Sequence, residues 1–138
     1  MALILAALLA LALHEVRPAY LELRETAPGA YDVLLKVAAR GADERLALSV
    51  RFPSEVETLG EPRRVRIEDA FLERWSIRSP EGLAGKTIDV EGPASLAADV
   101  LVRIERADGS SQAARLGPAR RSLVVEAAPT PWPTGPTY

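Results

Sequence analysis

The chain has 138 residues, of which 48% are hydrophobic, and 17 Lys+Arg against 19 Asp+Glu leave a net charge of -2. A balance so close to neutral argues against a nucleic-acid partner held by bulk charge. The absence of cysteine excludes disulfides, thiolate metal sites and a cysteine nucleophile, and a single histidine excludes a site built from several imidazoles. The length suits one domain with its own core.

The first predicted element is an apolar leader. Residues 1–13 are all apolar, which is short of the roughly 20 residues that a membrane-spanning helix needs. The run is typical of a signal peptide, and Ala10-Leu11-Ala12 supplies a small-x-small cleavage pattern, although no Lys or Arg precedes it. We therefore expect cleavage after Ala12 or Leu13 and export to the periplasm or the extracytoplasmic face of the membrane, with a buried first helix as the alternative.

After residue 18 the apolar positions recur with period two, which predicts strands. Alternation runs through 19–25, 31–37, 46–52 and 64–68, with Ala27-Pro28-Gly29 and Gly60-Glu61-Pro62 as breaks. The segment 68–74 is ambiguous, because its apolar spacing also fits a helix, whereas Phe71, Trp75 and Ile77 would share one face of a strand.

The second half of the chain continues the pattern. Short strands are predicted around Ile88 and Val90, at 100–105, at 111–116 and at 123–125. Asp108-Gly109 predicts a tight hairpin between the two middle strands, because this dipeptide readily adopts positive φ. Residues 111–116 are weakly apolar and suit a sheet edge.

About nine short strands predict an antiparallel two-sheet, immunoglobulin-like β-sandwich over residues 14–126. Residues 127–138 contain four prolines and are expected to form an extended, mobile tail. Alternation assigns ten residues to the core: Leu21, Leu23, Val33, Leu35, Leu48, Val50, Trp75, Val100, Val102 and Ile104.

His14 is the one candidate metal ligand. If processing places it near a new N-terminus, its imidazole and the α-amino group could chelate nickel or copper. The alternative is a solvated side chain at a frayed end. Several nitrogen or sulfur donors are needed to hold these metals tightly, so we expect no resident cofactor and only weak metal affinity.

Other candidate chemistry is sparse. Catalysis by two carboxylates needs a pair facing across a cleft in different environments, whereas the acidic residues here fall on outward strand faces or in loops. No Gly-x-Ser-x-Gly elbow and no phosphate-binding glycine loop occurs. Basic clusters at 63–66 and 115–121 are interpreted as charged strand faces, with contact to an anion or a headgroup as the alternative.

Four segments together resemble the extracytoplasmic N-terminal region of HupE/UreJ-family membrane proteins. They are 14–23 (HEVRPAYLEL), 31–37 (YDVLLKV), 71–75 (FLERW) and 99–104 (DVLVRI), and the similarity covers nearly all of residues 14–126. The resemblance implies association with a membrane protein for nickel or cobalt uptake that serves hydrogenase or urease maturation. In that family the metal-handling residues, including a His-x5-Asp-His pattern, lie in transmembrane helices, and this sequence has no such pattern.

The leading hypothesis is therefore a non-enzymatic, exported accessory domain, either a piece of such a membrane protein or a free-standing version. Its expected partner is a membrane transporter domain or another envelope protein, without nucleic acid or an identified small-molecule substrate. The alternatives are a periplasmic metal-binding protein that uses His14 and, third, an exported carboxylate hydrolase.

Overall fold

The computed structural model describes residues 17–39, 45–93 and 95–130. This part of the chain is built of nine strands in two sheets and contains no helix, which confirms the predicted all-β sandwich. The strands in chain order are β1 (Ala19–Ala27), β2 (Ala30–Ala38), β3 (Ser49–Arg51), β4 (Glu57–Ile67), β5 (Ala70–Arg78), β6 (Thr87–Glu91), β7 (Val100–Glu105), β8 (Ser111–Leu116) and β9 (Ser122–Val124).

The large sheet has six strands in the order β4-β5-β2-β1-β7-β8, and the small sheet has three in the order β3-β6-β9. Neighbouring strands are antiparallel except β1 and β7, which are parallel. Parallel neighbours need a long connection. Here the chain passes through β6 of the small sheet before β7 returns beside β1.

The core lies between the sheets. Eight of the ten predicted core residues are buried, and the other two, Val50 and Trp75, are partly buried and pack against them. Strict alternation in β1, β2 and β7 explains this agreement, since it puts every second side chain on the inner face of the large sheet, the face toward the small sheet. The outer face of the large sheet is the opposite one.

The sandwich is closed where β8 lies beside β9. The buried side chain of Gln112 on β8 donates from Nε2 to the carbonyl of Val124 at 3.1 Å. Its Oε1 accepts the backbone N–H of Glu126 at 2.8 Å. This amide supplies hydrogen bonds between the two sheets, so a polar group is buried there with its partners present.

The predicted hairpin at Asp108-Gly109 is confirmed between β7 and β8. The N–H of Arg106 donates to the carbonyl of Ser110 at 2.8 Å, and the N–H of Gly109 donates to the carbonyl of Arg106 at 2.9 Å. Gly109 has φ 86°, whereas Asp108 is not among the residues of positive φ. The connection is thus a three-residue loop ending in a left-handed glycine rather than a two-residue turn.

In the first half, one sequence expectation is confirmed and another needs correction. The ambiguous segment 68–74 is a turn followed by β5, with Phe71, Trp75 and Ile77 on the inner face. The predicted strand 46–52 shortens to β3, although Leu46 and Leu48 before it are buried. The predicted leader, 1–13, and residues 131–138 of the predicted tail lie outside the described residues, and 127–130 form neither strand nor helix.

Candidate binding site on the outer face of the large sheet

The β4–β5 hairpin lies at one edge of the large sheet, opposite the edge where β8 lies beside β9. Every residue of β4 is exposed. The two sheets differ by three strands, and within the described residues no strand of the small sheet pairs with β4. Its side chains therefore face solvent on both sides, which is unusual for a strand of 11 residues.

Apolar side chains collect on the outer face of this hairpin. Leu59, Val65 and Ile67 of β4 are 41%, 54% and 50% exposed, and they lie opposite Ser76, Leu72 and Ala70 of β5. We call Leu59, Val65, Ile67 and Leu72 the outer patch. Clustered apolar side chains at the surface mark interaction sites more often than isolated ones do.

A bulge interrupts β4 between Leu59 and Arg63. Leu59 pairs with Ser76 and Arg63 with Arg74, so β4 advances by four residues where β5 advances by two. Gly60 has φ 70°, a left-handed conformation that favours glycine. Since the insertion is an even number of residues, the side chains on either side of the bulge keep to the same face.

The bulge forms one wall of a cleft of about 670 Å³ on the outer face. The cleft extends from β4 over β5 and β2 to β1. Its polar and apolar lining comes mainly from Glu22, Arg24, Asp32, Leu34, Leu59, Glu61, Arg63, Arg74 and Ser76.

Arg63 and Arg74 lie directly opposite each other across β4 and β5, and we call them the arginine pair. Both are exposed. Among the described residues, no carboxylate forms an ion pair with either of them. Like charges directly opposite on adjacent strands are destabilising, so this arrangement needs a reason.

The carboxylates on the other side of the cleft are already engaged. Glu22 accepts the hydroxyl of Tyr20 at 2.8 Å on Oε2 and Nη2 of Arg24 at 3.4 Å on Oε1. Burial, and then the hydrogen bond to Glu22, raise the pKa of Tyr20 above its ordinary 10.0, so this hydroxyl keeps its proton and remains a donor. Asp32 accepts the hydroxyl of Ser76 at 3.0 Å.

The inner side of the same hairpin is occupied by its own charges. Oε2 of Glu73 accepts Nη2 of Arg64 at 3.1 Å and lies 3.7 Å from Nη2 of Arg45. The guanidinium carbon of Arg66 lies 5.6 Å from the centre of the Phe71 ring. On the outer face, by contrast, the arginine pair has no carboxylate partner within the described structure.

A second cleft of about 650 Å³ lies beside β3 and β6, and its charged groups pair with one another. Nζ of Lys86 lies 3.1 Å from Oε1 of Glu55, and Nη2 of Arg51 lies 3.7 Å from Oδ2 of Asp89. A hydrogen bond from its own backbone N–H, followed by the contact with Lys86, lowers the pKa of Glu55 below its ordinary 4.5. Each charged group that lines this cleft therefore has an ion-pair partner, unlike the arginine pair.

The sequence-predicted site residue, His14, lies outside the described residues. Among the residues that are described, no group of three or more His, Cys, Asp or Glu side chains is placed to hold a metal ion. Glu22 and Asp32 do line one cleft, as a carboxylate hydrolase would require, but both accept hydrogen bonds from neighbours on the same face.

Residues 63–66 stand out in the sequence as a basic cluster, but nothing there indicates Arg74 as the partner of Arg63. Only the register across the bulge brings the two together, and no local pattern reports that register.

No helix in the described part of the chain is long and apolar enough to cross a membrane. A comparison of the chain with models of known protein families finds no match, and neither does a comparison with curated proteins. The resemblance to the HupE/UreJ family stays a prediction from the sequence.

Proposed function

We propose that this protein is a non-enzymatic, exported accessory domain that binds the extracytoplasmic side of a HupE/UreJ-like membrane protein. The observation that carries the proposal is the outer patch, in which three exposed apolar side chains and the half-buried Leu72 lie on a strand pair that no other described strand covers on this face. The sequence resemblance supplies the class of partner.

The cations around the outer patch indicate which charge the partner surface should carry. Leu72 is flanked on its own strand by Arg74 and across the sheet by Lys36, and Val65 lies two residues from Arg63. An apolar surface bordered by cations fits an apolar surface bordered by carboxylates, because complementary charge favours encounter and sets orientation. The partner surface in this proposal is therefore an acidic and apolar extracytoplasmic loop.

Co-purification from membranes tests the proposal. A tagged HupE/UreJ-like membrane protein of the same organism is co-expressed with the full chain and isolated in mild detergent. The wild-type chain is expected in the eluate, and Val65→Glu should lower its recovery roughly tenfold or more, because a carboxylate would be placed in an apolar contact.

Val124→Glu is the matched control. Val124 is 58% exposed, much like Val65, but lies on β9 of the small sheet, away from the outer patch. Its recovery should equal that of the wild type. Absence of the wild-type chain from the eluate, or equal loss in both variants, would contradict the proposal.

A further inference from the structure

We infer that the cleft beneath the β4 bulge binds an oxyanion, the carboxylate or phosphate group of a small molecule, between the guanidinium groups of Arg63 and Arg74. The inference goes beyond the proposed function and does not depend on it. It starts from the arginine pair, two like charges held directly opposite each other without a carboxylate partner among the described residues.

The register gives the pair the geometry for one shared ligand. Side chains directly opposite on adjacent antiparallel strands have Cβ atoms about 4.5–5.5 Å apart. Two guanidinium groups rooted at this spacing can both reach one oxyanion, and each can present two N–H donors in its planar fork. A bound oxyanion would replace repulsion between the two cations with two charge-assisted contacts.

The bulge supplies the wall of the site. Bulges are common at sheet edges and beside functional sites, where they redirect the chain locally. Here the bulge occurs immediately before Arg63, and a methyl group at Gly60 would meet nothing within 4 Å, so the space beside it is open. The cleft volume of about 670 Å³ falls in the range of small-molecule sites.

Three carboxylates, Glu22, Asp32 and Glu61, also line the cleft, but none of them forms an ion pair with Arg63 or Arg74 in the described structure. Both oxygens of Glu22 accept hydrogen bonds from Tyr20 and Arg24, and Asp32 accepts from Ser76. Leu34 and Leu59 add apolar surface, so an organic anion with a short carbon chain fits better than a bare ion.

Thermal unfolding of the full chain is the first test, with sodium phosphate and sodium butyrate each compared with sodium chloride at equal ionic strength. The wild type should unfold at a higher temperature in at least one test anion than in chloride, and the anion giving the larger increase identifies the anionic group. Arg63→Met and Arg74→Met should each lose most of this increase.

The same variants separate a binding site from a structural role. Without a test anion, Arg63→Met and Arg74→Met should unfold at the wild-type temperature or above it at low salt, because each removes the repulsion. Arg103→Met, on the outer face at β7 and outside the cleft, is the matched control and should keep the full anion effect.

Amide chemical shifts locate the anion and give its affinity. Titration should move the resonances of Gly60 and Ser76, and each single arginine variant should weaken binding roughly tenfold or more, the usual loss when a charge-assisted contact is removed. The inference is overturned if phosphate and butyrate act no more strongly than chloride, if the arginine variants keep the effect, or if the shifts lie away from the cleft.

Discussion

The two edges of the large sheet differ in what lies beside them. At β8, the Gln112 side chain connects the large sheet to β9 and its flanking chain through two hydrogen bonds. At β4, no strand of the small sheet pairs with the edge in the part of the chain that the structure describes, and all 11 residues are exposed. The β8 edge is stabilised by burial and by hydrogen bonds to the small sheet. The β4 edge is held by its pairing with β5 in a hairpin.

An uncovered edge strand is open to unwanted pairing with other chains, and proteins protect such strands with charges, proline and bulges. β4 contains all three, in Arg63, Arg64 and Arg66, in Pro62 and in the bulge at Gly60. The same devices leave the outer face of β4 free to bind something other than another strand. Protection of the edge and exposure of the outer patch therefore have one structural origin.

The largest expected difference between the two regions is in the cost of removing an apolar side chain. Leu35 on the inner face is 1% exposed, and Leu35→Ala should lower the free energy of unfolding by about 2–4 kcal/mol through lost burial and a cavity. Val65→Ala on the outer patch should change it by no more than about 0.5 kcal/mol. Urea unfolding measures both.

The comparison breaks down if Val65→Ala proves as costly as Leu35→Ala. That result would mean that the isolated chain covers β4 in solution.

Two left-handed glycines give a second contrast. Gly29 has φ 77° in the β1–β2 turn, and a methyl group there would lie 2.5 Å from the backbone oxygen of Ser79. Gly60 has φ 70° in the β4 bulge, with nothing within 4 Å of such a methyl group. Gly60→Ala should cost about 1–2 kcal/mol from backbone strain alone, and Gly29→Ala clearly more.

Denaturant unfolding of the two alanine variants side by side decides this point. Equal losses of stability in the two variants would show that the β1–β2 turn can shift away from Ser79 and is less rigid than its packing indicates.

The hydrogen bonds of Gln112 between the two sheets give a third effect on stability. Gln112→Met keeps the length of the side chain but removes both hydrogen bonds, leaving the Val124 carbonyl and the Glu126 N–H without their partner. The expected loss is about 1–3 kcal/mol in the free energy of unfolding. Ser111→Ala, an exposed position next to it on β8, is the control and should be near neutral.

Hydrogen exchange gives the readout specific to the seam, because the amide of Glu126 should lose protection in Gln112→Met. Unchanged protection there, with unchanged stability, would show that the seam is held by packing alone.

The same two regions explain what the sequence could and could not predict. Alternation in β1, β2 and β7 is regular because one face of each is buried, so it predicted the core and the two-sheet fold. The sequence predicted a strand only at 64–68, whereas β4 begins at Glu57. Gly60 and Pro62 are poor strand residues, and they lie in the bulge between the two stretches of β4 that pair with β5. Arg63 and Arg74 are neighbours only through the register of β4 on β5, so the local sequence around either residue could not predict the pair.

The smallest effect concerns the β7–β8 turn on the closed side. The ionised carboxylate of Asp108 accepts the N–H of Ser110 at 2.8 Å and also its hydroxyl. These hydrogen bonds, that of the hydroxyl first, lower the pKa of Asp108 below its ordinary 3.8. A lowered pKa means that the contribution to stability is present above about pH 3.8 and is lost as the pH falls through the value in the folded protein.

Titration of the Asp108 carboxyl carbon by NMR measures this pKa directly. Ser110→Ala removes the hydroxyl but leaves the backbone N–H, so the pKa should rise only part of the way toward 3.8. Asp108 is fully exposed, so unfolding should change little, and the effect should be visible mainly in the turn resonances. A value for Asp108 already at 3.8 in the wild type would show that the turn is not held by these bonds, and that the left-handed Gly109 alone sets its shape.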